Sequence, residues 1–163
     1  MNSQSVLTLI DTGGPRLSPI MRLADECLGG ERKWRGTAHG LFGLINRGFS
    51  IQSSGEMRNG VILFTETLAF DDGETQRRFW RLAQTADGLS VEGPGIEQTK
   101  PAKAIGDNAF ELEYKISLGV WRCVYRDFFT LRDDGGVDNR GYIRIAGAPV
   151  MTVTASAPPR LFR

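Results

Sequence analysis

From Trp34 onward the apolar residues recur at every second position, and the stretches that carry this pattern are separated only by short turns. Ile62, Phe64, Leu68 and Phe70 form one such series; Phe110, Leu112, Tyr114, Ile116 and Leu118 a second; Trp121, Cys123, Tyr125, Phe129 and Leu131 a third. Successive side chains of a strand point to opposite faces, so a period of two marks strands buried on one side. Lys33 to Leu41, Phe49 to Met57, Thr75 to Gln84, Leu89 to Gly93, Asn139 to Ala146 and Val150 to Ala155 extend the series. About eight or nine strands are expected. Short links between them favour antiparallel neighbours, and a long meander removes its two exposed edges by closing on itself. The expected fold is all-β, a single antiparallel up-and-down β-barrel, with a sandwich as the alternative. Helical spacing occurs only from Ser18 to Leu28, where Ile20, Leu23, Ala24 and Cys27 share a face before Gly29-Gly30 ends the pattern.

With 163 residues the chain suits one domain, burying roughly 70% of its extended surface. It divides into an N-terminal segment with the helix (1–30), a barrel (31–157) and a short tail (158–163). Twenty glycines, spread along the chain, supply the turns. The net charge of +1 gives no global attraction to nucleic acid or an anionic membrane, so only a local patch could supply one. Arg122, Arg126, Arg140 and Arg144, with Tyr142 among them, form such a patch on an outer face, read here as solvated; no nucleic-acid partner is expected. Two cysteines and one histidine, His39, leave no disulfide framework and no multi-histidine metal site. Haem ligation by His39 inside a barrel is one special possibility; an exposed or satisfied histidine is preferred, and no cofactor is expected. Nucleotide-binding, α/β-hydrolase and thiol-redox motifs are absent from the sequence. The N-terminus shows no signal peptide and no window long enough to span a bilayer, so the expected location is the cytoplasm.

Two turns aim the side chains. Asp71-Asp72-Gly73 and Asp133-Asp134-Gly135 both fit a three-residue hairpin loop whose last position is a left-handed glycine. The first turn pairs Phe70 with Glu74, and hence Leu68 with Gln76, Glu66 with Arg78, Phe64 with Trp80 and Ile62 with Leu82. The second pairs Leu131 with Val137, Phe129 with Asn139, Asp127 with Gly141, Tyr125 with Ile143 and Cys123 with Ile145. A tight turn at Leu118-Gly119 would pair Ile116 with Trp121, Tyr114 with Cys123, Leu112 with Tyr125 and Phe110 with Asp127. These registers place four polar residues, Glu66, Arg78, Asp127 and Asn139, on the apolar inner face. Cys123 is read as a small apolar filler there.

The candidate function is non-catalytic binding of a small, largely apolar molecule inside the barrel. Phe64, Trp80, Tyr114, Trp121 and Tyr125 would form its apolar wall. Glu66, Arg78, Asp127 and Asn139 would read a polar or acidic head, with Arg78 able to pair with a carboxylate. A rival is a small-molecule isomerase or hydrolase using Asp127 or Glu66 as acid or base. A third reading is a barrel filled by its own side chains that serves a structural or interaction role. Whether the chain is monomeric is left open.

Several pieces of the chain resemble one family. Glu66, Leu68, Asp71-Asp72-Gly73-Glu74, Arg78 and Trp80 are followed by Gly106-Asp107-Asn108-Ala109 with Tyr114 and Leu118, then by Arg126-Asp127-Phe128, then by Asn139-Arg140 and Gly147. In this order they are similar to the motifs of a bacterial family known as domain of unknown function 3833, over roughly Leu28 to Ser156. The resemblance implies a calycin-like, lipocalin-related barrel and no assigned activity. Many members of the family carry an N-terminal lipoprotein signal that this sequence does not show. His39 and Phe128 stand where the family has tryptophans.

Overall fold

The computed structural model of the chain describes residues 16–160. The N-terminal segment's first fifteen residues and the end of the tail lie outside that range. Helix α1, Pro19–Leu28, begins where its sequence dictates: the Ser18 hydroxyl accepts a hydrogen bond from the Met21 amide at 3.3 Å, and Pro19 fills the first turn without sacrificing a donor. Its buried face is Ile20, Met21, Leu23, Ala24, Cys27 and Leu28.

Ten strands follow: β1 Gly30–Gly40, β2 Ile45–Arg58, β3 Val61–Phe70, β4 Thr75–Thr85, β5 Gly88–Glu92, β6 Ile96–Ile105, β7 Ala109–Leu118, β8 Trp121–Leu131, β9 Val137–Ile145 and β10 Ala148–Ala157. Each pairs antiparallel with its sequence neighbours, and β1 pairs with β10, so the sheet is a closed up-and-down barrel without a free edge. The sandwich alternative is thereby set aside. One strand beyond the expected nine is β6, which carries Pro101 and three charged residues and pairs irregularly with β7.

Both Asp-Asp-Gly turns have the expected geometry, with φ of 92° at Gly73 and 82° at Gly135. The Gly73 amide donates to the Phe70 carbonyl and the Gly135 amide to that of Arg132, each at 2.9 Å. The registers read from them hold throughout: Glu66 lies opposite Arg78 and Phe64 opposite Trp80, Asp127 opposite Gly141 and Phe129 opposite Asn139. The β7–β8 register differs by two residues. Leu118 pairs with Trp121, Ile116 with Cys123, Tyr114 with Tyr125, Leu112 with Asp127 and Phe110 with Phe129. The loop is Gly119-Val120, two residues of the kind a tight hairpin prefers, rather than one centred on Leu118-Gly119. A slip of two keeps every side chain on its face but moves each one rung along the barrel.

Helix α1 packs across one end, touching β2, β5, β7 and β8. Gly55 on β2 makes this approach possible: a Cβ there would stand 2.2 Å from the Leu28 carbonyl oxygen. The other end carries the hairpin tips between β1 and β2, β3 and β4, β5 and β6, β7 and β8, and β9 and β10. Among the described residues no element lies across it.

Candidate functional site

The inward faces of β3, β4, β7, β8 and β9 meet in the middle of the barrel. Glu66 sits on β3 with one carboxylate oxygen, Oε1, receiving the Trp80 indole N–H at 3.2 Å and standing 3.5 Å from Arg78 Nη1. Arg78 also donates through Nη2 to Gln76 Oε1 at 3.1 Å. Further round the wall, Asp127 accepts from the Tyr114 hydroxyl at 2.7 Å through Oδ2, and from the Asn139 amide at 3.0 Å through Oδ1. The two clusters are joined by rings: Trp80 meets Tyr114 edge-on at 5.1 Å, and Tyr114 stacks on Tyr125 at 5.4 Å. Gly141 leaves the room for this, since a Cβ there would fall 2.6 Å from the Tyr125 ring and 2.9 Å from Asp127 Oδ1.

Burial governs the protonation of the cluster. Asp127, 7% exposed, has its carboxyl pushed up to about 6 by desolvation, against the opposing pull of its hydrogen bonds from Tyr114 and Asn139 and the charge of Arg78. Glu66 is raised as well, again by desolvation first, with Arg78 and the Trp80 N–H pulling it back. Burial holds the Tyr114 and Tyr125 hydroxyls well above their ordinary range, so both stay neutral. One guanidinium therefore serves two carboxyl groups, each of which tends toward its neutral form.

Two cavities occupy the interior. The lower, about 80 Å³, lies between helix α1 and the polar cluster, touching Leu28, Trp34, Glu66, Trp80, Tyr114 and Asp127. The upper, about 190 Å³, faces the uncovered end between Ile45, Phe70, Ile116, Ile143 and Met151. Phe49, Leu68, Arg78 and Tyr125 line both, and so form the partition between them.

Eight of the nine residues singled out from the sequence line the lower cavity: Glu66, Arg78, Asp127, Asn139, Phe64, Trp80, Tyr114 and Tyr125. Trp121 does not join them. The two-residue change of register carries it to the rim, where it is 60% exposed. In its place stand Trp34, Phe49 and Phe129; Trp34 donates to the Ser53 hydroxyl at 2.9 Å and meets Phe129 edge-on. All three follow the same inward alternation, which was the available signal. His39 is exposed on the outer face beside Thr37, out of reach of the interior, so haem ligation within the barrel is contradicted. Cys27 and Cys123 are both buried and unpaired; burial pushes the Cys27 thiol up to about 12, which makes it inert. The outer arginine row is partly neutralised, Arg122 by Glu97 and Arg126 by Glu111.

The sequence profile of a family described as protein of unknown function (DUF3833) matches residues 16–157. The chain belongs to this family. The DUF3833 match takes in helix α1 as well as the whole barrel, beyond the span suggested by the motifs alone. Among solved structures, the DUF3833 chain is similar to Rv2717c from M. tuberculosis, with a TM-score of 0.59 at 16% identity over 89% of this chain and 99% of that one. That likeness is one of fold. EF1p2_mFAP2b bound to DFHBI gives a TM-score of 0.47 at 13% identity, covering 86% of this chain and 99% of that one. The redesigned β-barrel mFAP1, also bound to DFHBI, gives 0.43 at 13% identity, covering 85% and 98%. No curated protein matches the sequence. Among the described residues no helix is long and apolar enough to cross a membrane.

Proposed function

We propose that this barrel binds a small, largely apolar molecule whose polar head meets Arg78, without chemically changing it. The observation that carries the reading is the partition between the cavities. Arg78 stands there with donors beyond those turned to Gln76 and Glu66, next to a Tyr125 hydroxyl that makes no hydrogen bond among the described residues. Apolar walls with a few convergent polar groups are the usual make-up of a small-molecule site. Neither cavity, nor the two together, reaches the roughly 300 to 1,000 Å³ usual for such sites, so an occupant spans both and requires Arg78 and Tyr125 to swing aside and open further space between them. A head that accepts hydrogen bonds, an acid or a carbonyl, suits the guanidinium.

Native mass spectrometry of gently purified protein tests this, with the denatured mass as control. A reproducible added mass that is lost in Arg78→Leu is expected, and an acidic ligand should lose more affinity than its neutral analogue. A clean mass, with no uptake from a lipid and metabolite extract, would overturn the reading and favour a barrel filled by its own side chains.

A second reading rests on Asp127, whose carboxyl, raised to about 6, is placed where a general acid or base works near neutral pH. Both of its oxygens are already engaged by Tyr114 and Asn139, which favours binding over catalysis. Turnover of a bound small molecule with a bell-shaped pH profile that vanishes in Asp127→Asn would reverse that preference.

A further inference from the structure

The uncovered rim is chemically divided. Going round the barrel in the order β2, β1, β10, β9, β8, β7, three consecutive hairpin tips read Leu41-Phe42-Gly43-Leu44, Ala146-Gly147 and Gly119-Val120. None contains a charged residue. Phe42 is fully exposed, Leu44 and Val120 are 86% and 94% exposed, and Trp121 stands beside them. Phe42 also holds φ at 57°, a left-handed conformation that a bulky residue adopts only at a cost, with its ring turned to solvent. The other two tips of the same rim are acidic or flanked by acids: Asp71-Asp72-Gly73-Glu74 between β3 and β4, and Gly93-Pro94-Gly95 between Glu92 and Glu97.

The charges around the apolar arc have one sign. Residues 36–48, 115–124 and 142–152 contain no aspartate or glutamate; their formally charged residues are Arg47, Lys115, Arg122 and Arg144. Arg47 is paired at one margin of the arc with Asp72 and Glu74, and Lys115 and Arg122 at the other with Glu97. Arg144, in mid-arc, is exposed and has no ionic partner among the described residues.

We propose that this arc docks on the surface of an anionic lipid bilayer, with Phe42, Leu44, Val120 and Trp121 entering the headgroup boundary and Arg144 meeting lipid phosphates. Apolar side chains carried singly on projecting tips reach into a soft interface, whereas a protein partner is better served by a continuous flat patch. Tryptophan favours the headgroup level, and basic residues beside it add attraction to anionic lipid. The docked rim would bring the upper cavity to face the membrane, although the contact itself does not depend on the interior holding a ligand.

Flotation of the protein with phosphatidylcholine vesicles, with and without phosphatidylglycerol, tests it. Binding to the anionic vesicles is expected, with a salt-sensitive loss in Arg144→Glu and a drop of more than about tenfold in partitioning for Phe42→Ser combined with Val120→Ser. Trp121→Phe should remove a vesicle-induced blue shift in fluorescence. Asp107→Asn, at the opposite end, should leave binding unchanged. These positions are exposed, and unaltered circular dichroism and thermal melting confirm that the variants fold. Failure to float with either vesicle, or flotation indifferent to the tip variants, would overturn the proposal. So would a dimer in sedimentation velocity that the tip variants dissociate without any vesicle binding.

Discussion

The two buried carboxyl groups make the interior of this barrel sensitive to pH. The native Asp127 carboxyl titrates at about 6 against an ordinary value of 3.8, so the folded protein takes up its proton before the unfolded chain does as the pH falls. Stability linked to this group therefore rises as the pH drops from neutral and is complete below the unfolded value. In full it amounts to about 3 kcal/mol, at roughly 1.4 kcal/mol for each pH unit that separates the folded from the unfolded value. Thermal melting should show wild type gaining stability between pH 7 and 5, and Asp127→Asn should show a smaller gain, keeping only the part that the raised Glu66 carboxyl supplies. Arg78→Leu acts in the opposite sense on Glu66. It leaves a mostly buried carboxylate beside an indole N–H alone, and should lower stability at pH 7 by about 3 to 5 kcal/mol. Because the Glu66 carboxyl is raised in the native state, the deficit should shrink as the pH falls, which urea titrations at two pH values would show. Pairing Arg78→Leu with Glu66→Leu removes the stranded charge and should recover most of the loss.

At the level of elements, the helix is a stopper held by one glycine. In Gly55→Ala the new methyl meets the Leu28 backbone oxygen, which cannot move without lifting α1. A lower melting temperature and increased binding of a hydrophobic dye are expected, the dye reporting access to the lower cavity. Nine strands and the helix were legible because each carried its period on its own residues, and because two turns spelled out their loop type. Strand β6 was not, since Ile96–Ile105 offers only Ile96 and Ala102 to the interior among polar side chains and a proline. Its place is set by neighbours that need a partner to close the sheet, which is information held elsewhere in the chain. Trp121 was assigned to the wrong rung for a related reason. Alternation fixes which face a side chain takes, but only the loop length fixes how far along the barrel it sits, and Leu118-Gly119-Val120-Trp121 admits more than one loop. The polar cluster escaped this error because Glu66, Arg78, Asp127 and Asn139 hang from the two unambiguous turns.

The whole molecule depends on a single seam, where β1 and β10 join the first and last strands of the meander. Ending the chain after Ala146 would remove β10 and leave β1 and β9 as unpaired edges. Size-exclusion chromatography should then find aggregates in place of a compact species, and denaturant unfolding should lose its cooperative transition. Closure has a functional side as well. With α1 stoppering one end and the described residues leaving the other clear, the barrel is a cup and not a conduit. A ligand taken up as proposed would leave over the same rim by which it arrived. Collection and delivery would thus compete for one doorway, so a donor and an acceptor would have to be visited in turn, and the lifetime of the contact at that rim would set the pace of the traffic.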